Sequence, residues 1–158
     1  GAELVLRKGK ATRTVALDAF YTGMKQNVMQ ASEFVQAIVL PKPSAGQVNR
    51  AHKISKRFEQ DISATCCAVS FNLAGDVMSN VRVAYNGLAP SPCRAPAIEA
   101  LLEGKTAAQV SAADIDQAIA KSFVARDGLR ATWAYRSLVA RNLVLQFVEE
   151  AANAAQED

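Results

Sequence analysis

A single histidine, His52, stands in 158 residues, and that scarcity removes a large share of catalytic chemistry at the outset. No cluster of imidazoles is available to hold a metal, and a lone histidine is more often structural than catalytic. Cysteine is nearly as sparse. Cys66, Cys67 and Cys93 form an odd set with two neighbours adjacent, which argues against a disulfide scaffold and fits a reducing cytoplasm. Cys66 and Cys67 fall in a strand-like run, so their side chains point to opposite faces and cannot chelate one metal together. Cys93, in a Pro-rich stretch, is a plain thiol. No apolar run approaches a membrane span, and no signal-peptide pattern is present. The chain also lacks a nucleophile elbow, a P-loop and a dinucleotide fingerprint, as well as internal repeats.

What is present is an ordinary globular composition, half hydrophobic and 21% charged, long enough for one well-packed domain with a small appendage. The formal charge of +3 conceals an asymmetry. Residues 1–60 carry ten Lys/Arg against four Asp/Glu, and residues 61–158 carry eight against eleven. A basic first third suits nucleic acid, a phosphate-bearing cofactor or an acidic partner. Its cations are dispersed with few aromatics between them, so nucleic acid is the weakest of these. The start at Gly1, without Met, leads us to expect a piece of a longer polypeptide.

Apolar periodicity predicts strands first and helices after. Glu3–Arg7 and Arg13–Leu17 flank Lys8-Gly9-Lys10 as a hairpin. Asp18 is placed to cap a short helix, Asp18–Met24. The apolar run Phe34–Leu40 ends at the loop Pro41–Gly46, which is the best candidate boundary and serves equally as an ordinary surface connection. Gln47–Ile54 predicts a strand. Thr65, Cys67, Val69 and Phe71 alternate, as do Val77, Ser79, Val81, Val83 and Tyr85, around the turn Ala74-Gly75-Asp76. Asn86–Pro96 reads as a loop with Gly87 as a turn residue. Helices follow at Ala97–Glu103, closed by Gly104, and at Ser111–Phe123, which opens with a capping-box-like Ser111-x-x-Asp114 and a Val110–Ile115 staple. The last spans about Ala131–Ala152, with a frayed tail. Trp133, Ala140, Val144, Phe147 and Ala151 line one side, and Ala134, Leu138, Leu145, Val148 and Ala152 an adjoining one. The expected fold is α+β: an antiparallel sheet of three or more strands packed against a small helical bundle.

The densest chemistry is His52–Asp61, H-K-I-S-K-R-F-E-Q-D. Lys53, Arg57 and Asp61 recur every four residues, so a helical turn or a tight loop can gather them. Lys53, near a strand end, can stabilise negative charge on a ligand such as a reduced flavin or a phosphate. Asp61 can hold Arg57 by a charge-assisted pair. On pattern alone, a solvated charged turn between two strands is the favoured reading.

Beyond pattern, the motif Lys53-x-x-x-Arg57-x-x-x-Asp61-Ile62, the Cys66–Tyr85 hairpin and Tyr85-Asn-Gly-Leu-Ala89 together resemble the C-terminal part of the FAD-binding subunit of molybdenum hydroxylases. That group includes xanthine dehydrogenase and carbon monoxide dehydrogenase. Phe20-Tyr-Thr-Gly23-Met-Lys25 resembles the family's F-F-x-G-Y-R segment, with Met24 and Lys25 in place of Tyr and Arg. Ser32-Glu33-Phe34-Val35 with Ile38-Val39-Leu40-Pro41 resembles P-G-E-I-L…I-x-I-P. Arg130-Ala-Thr-Trp-Ala-Tyr-Arg136 with Val139-Ala-Arg-Asn142-Leu is similar to the R-A-S-x-x-Y-R…A-R-N-L tail helix of xanthine-dehydrogenase-type members. The likeness runs collinearly through nearly the whole chain.

This resemblance implies that residues 1–43 are the C-terminal end of a FAD-binding domain and that 44–158 form a domain like the CO dehydrogenase flavoprotein C-terminal domain. It implies flavin-contacting positions at Val35 and Lys53, with Arg57 to Asp61 as a wall of the pocket and no catalytic residue of its own. The cofactor would be FAD, in a site incomplete here, with molybdopterin and 2Fe-2S clusters elsewhere in the enzyme. Partners would be the rest of the FAD and iron–sulfur domains, the molybdopterin-binding subunit and NAD, with neither nucleic acid nor membrane. The implied role is one side of a flavin site in an NAD-dependent xanthine dehydrogenase-type oxidoreductase of the cytoplasm, inactive when isolated. The alternative is a non-catalytic subunit-docking module.

Overall fold

The computed structural model describes residues 1–57 and 62–157, with only the backbone of 154–157. It contains two compact units, Gly1–Pro43 and Ser44–Asp158.

In the first unit, β1 (Glu3–Lys8) pairs antiparallel with β2 (Ala11–Ala16) across Gly9 and with β5 (Phe34–Val39), in the order β2-β1-β5. Gly9 sits at φ +59, where a side chain is disfavoured. Leu4, Leu6 and Phe20 form the small core, with Val15, Val28 and Met29 against it. The helix expected over Asp18–Met24 does not form. A single 3-10 turn, Leu17–Ala19, drops Phe20 into the core, and β3 (Tyr21–Gly23) then pairs with β4 (Gln26–Asn27). Tyr21 and Thr22 favour extended backbone and Gly23 disfavours helix, so tertiary burial of Phe20 overrides the cap at Asp18.

The second unit is a four-stranded antiparallel sheet, ordered β6 (Gln47–Ile54), β7 (Thr65–Ala74), β8 (Val77–Asn86), β9 (Cys93–Arg94), with three helices packed on one face. The two-residue β9 lies within the stretch expected to be loop. Thr65, Cys67, Val69 and Phe71 alternate inward as the sequence pattern requires. On β8 the alternation holds for Val81, Val83 and Tyr85 and then slips, burying Met78 rather than Val77. The cause is an extra residue, Asn80, at φ +52, where the β7–β8 register shifts. Its freed N–H groups are satisfied: the Glu103 carboxylate accepts from Asn80 N at 3.0 Å and Val81 N at 2.9 Å.

Helix α1 (Pro96–Leu102) starts on a proline that needs no donor. Helix α2 (Ala112–Ser122) is capped by Ser111, whose hydroxyl accepts from Asp114 N. Asp114 reaches only the Ser111 hydroxyl, at 2.7 Å, and the reciprocal capping box lies instead at Thr106 and Gln109. Helix α3 (Trp133–Glu157) runs through the tail expected to fray, because Ala151–Ala155 is rich in a strong helix former. It buries Ala140, Leu143, Val144, Phe147, Val148 and Ala151 against β7 and α2. The adjoining stripe is less buried than expected: Ala134 and Leu138 face solvent. The result is the expected α+β architecture.

Candidate functional site

The sheet of the second unit has one face under the helices and one face open. Register fixes what lies on the open face. Lys53 pairs with Cys66, and Cys66 with Asn86, forming a row at the end next to the β6–β7 loop. Ala51, Ala68, Ala84 and Arg94 form the next row, then Asn49, Ser70 and Arg82. None of these residues is a carboxylate, so the strands present cations and neutral polar groups around a flat alanine strip. Arg94 is paired with Glu99 of α1 at 2.6 Å.

Lys53 thus lies one residue before the end of β6, exposed and on the open face. Arg57 lies exposed in a bend beyond the strand. Lys53 is in extended backbone, so no helical turn joins these two. Asp61, and with it the proposed pairing to Arg57, lies outside the described residues. Val35 belongs to the first unit, on the edge strand β5 opposite Leu6, and is 39% exposed. His52 points away from Lys53, toward the helices, with its ring 5.4 Å from that of Phe147. It is exposed and rests its ring against the edge of the helical layer.

The loop after β6 has a buried neck. Ala64 N donates to Ile54 O at 2.8 Å, closing the loop, and Ser63, Ala64 and Thr65 are each buried while Ile62 is 62% exposed. Gly87, at φ +96, packs its backbone on this neck so closely that an added Cβ would meet Ala64 O at 2.4 Å. The Arg136 guanidinium of α3 donates to Gly87 O and Arg126 O, and Arg130 Nη1 donates to Ser63 O at 3.3 Å. By sequence alone Gly87 reads as a turn residue and Arg136 has no assigned task. Asn-Gly after a strand was a signal for the first, but nothing local reveals that Arg136 spends both arms on carbonyls of two distant loops.

Titration behaviour follows burial. Cys67, inward on β7, has its thiol pushed up to about 12 by loss of solvent. Burial likewise raises Tyr85, whose hydroxyl donates to Ala140 O at 2.9 Å, and Cys93. Cys66 shares the strand but faces the open side, half-buried. A depression lined by Asp76, Thr106, Glu149 and Asn153 sits by the β7–β8 turn, at the opposite end of the hairpin from Lys53. With two carboxylates in its wall, it is a poor receptor for an anion.

Residues 50–151 match the family described as the CO dehydrogenase flavoprotein C-terminal domain. The chain belongs to this family. Over 156 residues it is 32% identical to the carbon monoxide dehydrogenase medium chain of Hydrogenophaga pseudoflava, covering 98% of this chain and 52% of that protein. It is 24% identical to the xanthine dehydrogenase FAD-binding subunit of Escherichia coli O157:H7, covering 98% and 53%. The solved structure of the Hydrogenophaga pseudoflava carbon monoxide dehydrogenase that lacks the Mo-pyranopterin moiety superposes with a TM-score of 0.79 at 27% identity, over 98% of this chain and 53% of that one. The reconstituted CO dehydrogenase from Oligotropha carboxidovorans shares the fold, with a TM-score of 0.81 at 22% identity. The chain spans about half the length of the curated relatives it matches. The resemblance carried by the collinear motifs is therefore a family relationship, and the matched domain contains Lys53, Gly87 and Arg136.

Proposed function

We propose that this flavoprotein C-terminal domain, with the unit before it, forms one side of an FAD site in a molybdenum hydroxylase. The carrying observation is Lys53: an exposed ammonium at a sheet edge beside a loop with a buried neck, on a face whose strand residues include no carboxylate. That arrangement fits a ligand that gains negative charge. FAD supplies a ring that accepts and passes on electrons. Lys53 would stabilise negative charge accumulating there. Arg57 would lie beside Lys53 in this reading, and Val35 of the first unit is carried over from the resemblance as a flavin-contacting position in its own right. Asp61 keeps the role that the resemblance implies, and the chain itself would supply no proton-transfer group.

Residues 1–43 are assigned to the end of the FAD-binding domain. Its strand β5 supports this: all six residues are exposed, and only Gln36 is polar. Exposed apolar edge strands of this kind are ordinarily covered. The remainder of the FAD domain is the proposed cover. Molybdopterin and 2Fe-2S clusters belong to partner domains or subunits in this reading. The acceptor is NAD and the enzyme a cytoplasmic dehydrogenase of the xanthine type, the branch that the α3 motif resembles.

The test compares the full-length polypeptide with residues 1–158 after incubation with FAD and desalting. The full-length protein is expected to retain flavin absorbance and to reduce NAD when its partners are present, and the isolated chain to do neither. A colourless full-length protein would remove the flavin from this account. Equal retention by the isolated chain would overturn the claim that its site is incomplete.

A further inference from the structure

The loop that carries Arg57 is only as well placed as its neck, and the neck is gripped from α3. Two segments distant in sequence meet there. Gly87 lies against Ala64 with no room for a Cβ, and Arg136 donates to the carbonyl of that same glycine. The second arm of Arg136 donates to Arg126 O, and Arg130 of the same 126–132 segment donates to Ser63 O. The N-terminus of α3 is itself fixed: Trp133 N donates to the Asp127 carboxylate at 2.7 Å and Tyr135 N to Thr132 Oγ1 at 3.3 Å. Arg136 forms no ion pair among the described residues, and its Nε is buried without a partner. The guanidinium is half-buried, and its fork is spent on main-chain carbonyls of two loops rather than on a carboxylate. A lysine offers no comparable planar fork.

These contacts converge on the end of the sheet where Lys53, Cys66 and Asn86 form a row. Asn86 precedes Gly87, and Thr65, buried at the neck, precedes Cys66. Moving the Gly87 carbonyl therefore moves both neighbours of the Lys53 row and the root of the loop beyond it.

We infer that Arg136 is a positioning residue, which acts through the Gly87 carbonyl and the Ser63–Thr65 neck to set the placement of Lys53 and Arg57. This rests on the flavin-site reading above. It assigns the site's geometry to a residue on α3, whose arms reach Gly87 O and Arg126 O rather than Lys53, and it predicts that the two-armed fork matters and the charge does not.

The test uses the full-length holoenzyme with Arg136→Lys, Lys53→Ala and the double variant, reading flavin content, melting temperature and the rate of flavin reduction by substrate in stopped flow. A misplacement on the ångström scale costs up to about a hundredfold in rate, so Arg136→Lys is expected to slow flavin reduction by roughly tenfold or more with FAD still bound. The double variant is expected to be little slower than Lys53→Ala, because the two act along one path. Hydrogen exchange should show faster amides at Ala64 and Thr65 in Arg136→Lys. If Lys53→Ala slows flavin reduction and Arg136→Lys only lowers the melting temperature, the positioning role is wrong and the flavin site stands. If neither alters the flavin, both fail. Should Arg136→Lys not fold, Arg130→Gln removes only the Ser63 contact and is expected to act in the same direction, more weakly. An unchanged flavin rate in that variant would overturn the neck as the route.

Discussion

Arg13 holds both carboxylate oxygens of Glu33 at 2.8 Å, from Nε and Nη2, while a third donor, Gln30 N, reaches Glu33 Oε2. Arg13 Nη2 also donates to Val28 O. One buried carboxylate, 5% exposed, thus ties β2 to the turn that launches β5 and Val35. Bidentate geometry and the backbone donor hold the Glu33 carboxyl down to about 2, with the Arg13 bond the larger cause.

A depressed carboxyl contributes stability that is present above its unfolded value, in the ordinary carboxylate range, and is lost as pH falls through about 2. The first unit should therefore keep its structure through the mild-acid range. Glu33→Gln is expected to lower stability at neutral pH and to reduce the difference between neutral and strongly acid conditions. Circular dichroism of the full-length protein across this pH range, wild type against variant, measures it. Identical acid profiles would contradict the assignment.

Burial separates the three thiols. Cys67, pushed up to about 12, should resist iodoacetamide near neutral pH, while Cys66, one residue away on the open face, reacts. Peptide mass spectrometry before and after unfolding gives the order. Equal labelling of both would mean that the open face is covered or the strand differently registered.

The neck is brittle in a specific way. Gly87→Ala must relieve both a left-handed φ of +96 and a 2.4 Å approach to a main-chain oxygen. A loss of at least about 2 kcal/mol is expected, since strained backbone alone costs roughly 1–3 kcal/mol. Gly75→Ala, at φ +62 with nothing near its Cβ, should cost less. Urea unfolding of both variants compares them, and a larger loss at Gly75 would refute the close-packing argument.

Glu103→Ala leaves the N–H groups of Asn80 and Val81 without their acceptor at the bulge. A loss of about 1–3 kcal/mol is expected, as for unsatisfied main-chain donors. Double substitution with Asn80→Gly recovers only the part due to the φ of +52. A neutral Glu103→Ala in urea unfolding would show that water serves the bulge as well.

The legible parts of this chain were those written in local periodicity. Alternation from Thr65 to Phe71 and the cap at Ser111 each needed only a few neighbouring residues, and each was read correctly. Asp18 misled because its capping preference is worth less than burying Phe20, a fact that resides in the tertiary core. The slip at Asn80 was hidden for a similar reason: its acceptor, Glu103, is 23 residues away. At the site, Lys53 was visible as a cation near a strand end, and collinear motifs supplied its proposed role. Arg136 was not, since its partners at positions 87 and 126 share no spacing with it.

The central claim is that Lys53 faces the flavin. The reduction potential of the bound flavin in the full-length enzyme, compared between wild type and Lys53→Ala, tests it most directly. Removing a cation that stabilises negative charge should shift the potential to a more negative value with FAD content retained. An unchanged or more positive potential would contradict the account and leave Lys53 an exposed residue of the open sheet face with no part in the flavin's chemistry.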